Sequence, residues 1–151
     1  MTVFTRNTEE TEKLGRSLSS FLYKKGVRRA FIALRGEMGV GKTAFTRGFA
    51  SALDISGVRS PTYTVVNEYR RGTLPVFHFD MYRIEDEDDL FSIGFYDYLK
   101  KDGYALCEWS ENIEGELPDG AIFVRIEKTD KDEEERKITI EGGNALEDFI
   151  A

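Results

Sequence analysis

Apolar residues recur at helical spacing near the start of the chain: Leu14, Leu18, Phe21 and Leu22 share one face ahead of Gly26, and Asn7 with Glu10 has the form of a capping box. This pattern predicts a helix over 8–25. The unbroken apolar run AFIAL at 30–34 reads as a strand covered on both faces. Phe45, Phe49 and Leu53 then return to helical spacing and predict a second helix over 43–53. β-Branched and aromatic residues dominate 62–69, and Arg71-Gly72-Thr73 separates them from the apolar run at 76–79, which suggests a hairpin-like pair of strands. The acidic stretch 85–89 precedes Leu90, Phe91 and Ile93, so its charges fall in the first turn of a helix, where the dipole favours them. YALC at 104–107 reads as another buried strand. Apolar and polar residues alternate over 121–127 and 136–141, which predicts an antiparallel pair joined by the polar turn 128–135; a short helix is expected over 145–150. Strands and helices in this order predict a three-layer α/β fold with a mixed, mainly parallel sheet.

Composition narrows the function classes. A length of 151 residues fits one domain with a real core, and 40% hydrophobic with 32% charged residues is ordinary for a folded soluble protein. A net charge of -7 argues against a protein that grips a nucleic-acid backbone by itself, because that requires clustered Lys and Arg. No direct DNA binding is expected, and any contact with RNA is expected through a partner. No apolar run approaches the ~18 residues of a membrane span. The opening MTVFTRNTEE lacks the basic-then-apolar order of a secretory signal, so a cytoplasmic location is expected. The single cysteine, Cys107, lies in an apolar run and reads as a core thiol.

The most specific chemistry lies between the strand at 30–34 and the helix at 43–53. Gly36, Glu37, Met38, Gly39, Val40, Gly41, Lys42 and Thr43 satisfy G-x-x-x-x-G-K-[ST] in full. A polyphosphate needs several backbone N–H groups turned inward at once, and glycines at Gly36, Gly39 and Gly41 permit that path. The positive end of the following helix adds attraction, Lys42 supplies a point charge for the terminal phosphates, and Thr43 offers its hydroxyl to magnesium. The site is therefore expected to hold ATP or a close relative with Mg2+.

Such a loop needs a carboxylate, and two apolar strands end in one: VFHF precedes Asp80 and YALC precedes Glu108. In open α/β sheets ligands bind outside the carboxyl ends of strands, so both acids are placed to face the loop. One would serve the metal while the other polarises the attacking water, or both would hold the metal's water shell; the pattern leaves these roles open. His78, the only histidine, reads as a structural side chain of its strand rather than a base. Trp109 either packs on the nucleotide base or closes the edge of the core. Arg83 either neutralises charge on a transferring phosphoryl group or is an exposed structural residue.

Four segments in order, GEMGVGKTAFTRGF at 36–49, SPTYTVVNEY at 60–69, HFDMYRI at 78–84 and CEWSENI at 107–113, resemble the bacterial TsaE (YjeE) family nearly end to end. The resemblance implies a single P-loop ATPase domain over 1–151, with ATP/ADP and Mg2+ as ligands. It further implies work beside TsaB and TsaD, where TsaD transfers the threonylcarbamoyl group to the adenosine next to the tRNA anticodon and ATP hydrolysis resets the assembly. On matching positions it implies Thr43 and Glu108 as magnesium ligands, with Asp80 supporting the metal and hydrolysis. Lys42, Asp80 and Glu108 form the catalytic set on this reading. The segment 60–64 becomes a switch near the γ-phosphate, with Ser60 and Thr62 as phosphate or metal contacts, while Thr8, Thr11 and Arg136 approach the nucleotide. Met38 and Val40 replace the family's more common Leu and Ala without expected loss.

Two rival readings remain. A small-molecule P-loop kinase would carry an Arg-rich lid, whereas the arginines here are scattered. A GTPase-like switch is faintly suggested by Lys128-Thr129-Asp130, but Glu127 stands where the guanine-reading element wants Asn.

Overall fold

The computed structural model of the chain describes residues 1–61, 65–143 and 146–149. The elements run β1 (Thr2–Thr5), α1 (Thr8–Lys24), β2 (Arg29–Arg35), α2 (Lys42–Ser51), β3 (Val66–Tyr69), β4 (Val76–Asp80), α3 (Glu87–Ser92), α4 (Phe95–Leu99), β5 (Gly103–Glu108), a 3-10 segment (Ser110–Glu116), β6 (Ile122–Lys128) and β7 (Arg136–Glu141). The strands form one mixed sheet in the order β1-β7-β6-β2-β5-β4-β3. Its centre is parallel, with β2 between β6 and β5 and β4 beyond β5. The edge pairings β1·β7, β6·β7 and β3·β4 are antiparallel.

Strand alternation sorts the side chains into two cores. Ile32, Leu34, Val76, Tyr104 and Leu106 face α1 and α2, where they meet Leu14, Leu18, Leu22, Phe45 and Phe49. Phe31, Ala33, Phe77, Phe79, Ala105 and Cys107 face the other way, onto Leu90 of α3 and Phe95 of α4. Parallel strands buried on both faces need near-continuous apolar sequence, which explains why AFIAL and YALC carry no alternation.

Local chemistry sets the helix ends. Asn7 accepts the Glu10 N–H at 2.9 Å, and the Glu10 carboxylate reaches back to the Arg6 N–H at 2.9 Å. The box expected from the sequence is therefore present, closed one residue earlier than its usual form. Asp86 caps α3 through the Asp89 N–H, with Glu87, Asp88 and Asp89 in the first turn, so the acidic run stabilises a helix start as anticipated. Strand β1 and helix α4 were not anticipated: TVFT is too short to show a period, and FYDYL has only one fully buried residue. The short helix expected over 145–150 falls partly outside the described residues.

α1 and α2 approach closely because glycines lie at their crossing. A Cβ on Gly48 would sit 1.9 Å from the Glu12 carbonyl oxygen, and one on Gly15 would sit 2.3 Å from the Phe45 carbonyl oxygen. Alanine in mid-helix is favoured over glycine by about 1 kcal/mol. Overpacking costs about 1–3 kcal/mol and occasionally more, and with rigid backbone 1.9 Å away the clash prevails. Gly48→Ala is therefore expected to lower the melting temperature by several degrees, read by circular dichroism, despite its better helix propensity. An unchanged or higher melting temperature would refute the close crossing.

Candidate functional site

Between the end of β2 and the start of α2 the chain turns over 36–41. Gly36 takes φ +141° with its Cα against the β6 backbone; a Cβ there would lie 2.4 Å from the Ile126 carbonyl oxygen. Gly41 takes φ +117° in the capping position of α2 and offers no side-chain cap. The first N–H groups of that helix thus meet no capping side chain, the condition under which a helix start attracts anions. Lys42 is only 7% exposed. Its Nζ donates to the Gly36 carbonyl oxygen at 2.8 Å and lies 5.5 Å from the centroid of the Trp109 ring. The cation is folded back on its own loop.

The opposite wall comes from β4 and β5. Their register pairs Asp80 with Glu108, so the two carboxylates end adjacent strands side by side. Strand alternation puts His78 on the same face as Asp80, and the His78 ring, fully buried, bonds Glu108 Oε2 through Nε2 at 2.8 Å. Asp80 Oδ1 accepts the Tyr82 N–H at 2.9 Å. Burial, reinforced by the nearby Glu108, holds the Asp80 carboxyl above its ordinary range, while the Tyr82 N–H, His78 and Lys42 pull it back. Cys107 faces away into the other core, where burial and then the Glu108 and Asp80 charges push its thiol well up; it is a packing residue.

Further bonds tie these segments together. Met81 N–H donates to the Glu108 carbonyl at 3.0 Å, Asp80 N–H to the Val65 carbonyl at 2.8 Å, and Asn112 Nδ2 to the Met81 carbonyl at 2.9 Å. Arg35, at the end of β2, donates to Ser110 Oγ at 3.2 Å and pairs with Glu114. Trp109 occupies the left-handed region at φ +58°, uncommon for a large residue, and its ring meets Tyr82 at 5.0 Å.

A cleft of about 760 Å³ lies between the two walls, within the range of small-molecule sites. Met38, Gly39, Gly41, Lys42, Thr43, Ser60, Asp80, Glu108 and Trp109 line it, so nine residues drawn from four distant segments converge. Pro61, Val65, Tyr82 and Arg83 complete the lining. Gly36 and Val40 lie beneath the loop: Val40 is buried, and Gly36 supplies the carbonyl that holds Lys42. Glu37 is exposed and does not line the cleft. Thr8 starts α1 at the surface, also away from the lining.

Two other anticipated contacts reach the loop from behind. The Thr11 hydroxyl pairs with that of Thr5 at 2.8 Å, and its methyl lies 3.9 Å from where a Gly41 Cβ would be. Arg136 donates from Nε to the Val40 carbonyl at 2.7 Å and from Nη1 to the carbonyls of Glu133 and Glu135 at 2.5 and 2.9 Å. Both therefore touch the loop rather than the cleft. Thr62 lies outside the described residues. Sequence reasoning missed Tyr82 as a lining residue and His78 as the partner of Glu108. The available clue for the second was a histidine two positions before Asp80, hence on its strand face.

The cleft is lined by the hydroxyls of Thr43, Ser60 and Tyr82 and by the carboxylates of Asp80 and Glu108. Hard oxygen ligands of this kind suit magnesium rather than zinc. Among the described residues no three His, Cys, Asp or Glu side chains converge into a closed cage. Also among the described residues, no helix is long and apolar enough to cross a membrane.

Comparison with known proteins gives the family. The family model "Threonylcarbamoyl adenosine biosynthesis protein TsaE" matches residues 5–138. Among curated relatives, the tRNA threonylcarbamoyladenosine biosynthesis protein TsaE of Bacillus subtilis is 38% identical over 139 residues, covering 91% of this chain and 84% of that one. Its namesake from Haemophilus influenzae is 38% identical, covering 78% and 76%. The one from Aquifex aeolicus is 35% identical, covering 91% and 93%. Among solved structures, that of YdiB from Bacillus subtilis superposes with a TM-score of 0.78 at 30% identity, covering 95% of this chain and 86% of that one. With a family match across nearly the whole sequence and relatives above 30% identity over most of it, the chain belongs to the TsaE family.

Proposed function

We propose that this chain binds and hydrolyses Mg-ATP in the cleft that the 36–43 loop lines, and that hydrolysis supports TsaB and TsaD in forming threonylcarbamoyladenosine beside the tRNA anticodon. The observation that carries the reading is the convergence of an uncapped helix start, Lys42 and two strand-end carboxylates on one cleft. The shared name of the relatives, tRNA threonylcarbamoyladenosine biosynthesis protein TsaE, supplies the pathway.

On this reading each residue has a physical task. Backbone N–H groups of the loop and the first turn of α2 hold the β- and γ-phosphates, at no cost in reorganisation because the glycine conformations already exist. Lys42 leaves the Gly36 carbonyl and exchanges one neutral acceptor for charged phosphate oxygens, a stronger bond. Thr43 and Glu108 hold the metal with Asp80 beside them. Bound there, magnesium would neutralise negative charge on the β- and γ-phosphate groups. Asp80, paired with Glu108 across the strand ends, supports the metal and hydrolysis. Ser60 and Thr62 contact the terminal phosphate or the metal, and Trp109 packs against the nucleotide. Arg136 fixes the loop through the Val40 carbonyl, and Thr11 lies beside Gly41. The acidic surface, at net charge -7, leaves the tRNA contact to TsaD.

The scattered arginines weigh against a kinase lid: Arg29 pairs with Asp102, Arg47 with Glu12, and among the described residues Arg83 is the one arginine that lines the cleft. Reconstitution tests the proposal. With TsaB, TsaD, threonylcarbamoyl-AMP and tRNA, multiple-turnover modification is expected to require both this chain and ATP, and GTP is expected to compete poorly. Equal turnover without the chain, or a preference for GTP, would overturn it.

A further inference from the structure

His78 is an odd residue to find where it is. It sits in a strand otherwise made of Val76, Phe77 and Phe79, its ring is fully shielded from solvent, and its Nδ1 has no hydrogen-bond partner. An apolar side chain would fill that space without burying an unsatisfied polar atom, which is destabilising. What the ring gains is a single contact, the 2.8 Å bond to Glu108 Oε2. A carboxylate only accepts, so Nε2 carries the proton and donates. No described residue bonds the other oxygen, Oε1, and Glu108 lines the cleft. Among the other polar side chains that line the cleft, Asp80, Lys42, Thr43, Ser60, Tyr82 and Arg83, none bonds the Glu108 carboxylate.

We infer that His78 is a positioning residue: it locks the Glu108 carboxylate through Oε2 so that Oε1 is presented to the cation. The inference rests on the magnesium site proposed above. It assigns His78 no proton transfer and no contact with nucleotide. Partners that orient a metal ligand from behind commonly govern affinity for the metal by roughly 10–100-fold. Register explains why histidine fits: its strand position pairs with Leu106, two residues before Glu108, so the donor must reach diagonally along the sheet, which the length of an imidazole permits.

Two amides separate this role from mere packing. Gln places its Nε2 as many bonds from the backbone as the imidazole Nε2, whereas Asn ends one bond short and cannot reach Glu108. Binding of ADP is measured calorimetrically in the full chain, with chelator and over a magnesium titration, alongside thermal melting. In His78→Asn the magnesium midpoint is expected to rise roughly tenfold while ADP affinity in chelator stays within about threefold of wild type. His78→Gln is expected to keep the wild-type midpoint. A wild-type midpoint in His78→Asn, or equal loss in both variants, overturns the inference while the proposed function stands. If wild-type ADP binding ignores magnesium altogether, the proposed metal site fails and this inference with it.

Discussion

Lys42→Ala is expected to abolish measurable nucleotide binding at concentrations that saturate the wild type, both with magnesium and in chelator. In the free chain Nζ is already inside the site, 2.8 Å from the Gly36 carbonyl and above the Trp109 ring, and nearly shielded from water. A cation held there needs only a short swing to meet phosphate, and little side-chain entropy is left to lose. Truncating a largely buried charge partner costs about 2–5 kcal/mol, or roughly thirtyfold to a few thousandfold in affinity. The fold should survive, because Lys42 makes its one hydrogen bond to its own loop and α2 is anchored through Phe45 and Phe49. Calorimetric titration with ADP, beside a thermal melt, checks both halves. Wild-type affinity in the variant would remove the phosphate role from this loop.

Much of this site was legible before any coordinates. Glycines at Gly36 and Gly41 read correctly as backbone positions, because a positive φ at each and a 2.4 Å approach of Gly36 to β6 admit little else. Asp80 and Glu108 were found by a rule about strand ends, and the shared register of β4 and β5 is the physical reason the rule worked. What escaped were relations across elements. That His78 bonds Glu108 depends on β4 lying beside β5 rather than beside β2, and strand order is not written in any local pattern. The family resemblance places Arg136 near the nucleotide, and in the structure its guanidinium bonds the Val40 carbonyl of the loop. One-dimensional reading locates a residue near a loop without saying on which side. Strand β1 was missed for a simpler reason: TVFT has four residues, and its pairing is with β7, from the far end of the chain.

Glu108→Gln should separate binding from chemistry in the opposite sense to Lys42→Ala. Glutamine keeps the volume and can still accept the His78 bond, so the 2.8 Å contact and the strand ends need not move. What it removes is a negative charge, in a cleft that Asp80 also lines. A polyphosphate entering beside two carboxylates is repelled by both until a cation intervenes. Affinity for ADP in chelator should therefore hold or improve in Glu108→Gln, while its enhancement by magnesium is lost. ATP hydrolysis, measured with the TsaB and TsaD partners present, should fall by about 10²–10⁴, the range for loss of a group that acts on the reacting water or its metal. Asp80→Asn should follow the same direction on hydrolysis and relieve some buried charge, since burial already raises that carboxyl; its melting temperature without metal is expected to exceed wild type at neutral pH. The advantage should shrink as pH falls through the raised carboxyl range, because protonation of Asp80 in the wild type then removes the same buried charge. Weaker ADP binding in chelator for Glu108→Gln would instead mean that the carboxylate shapes the cleft rather than serving a cation. Hydrolysis retained in both variants would move the chemistry away from these strand ends.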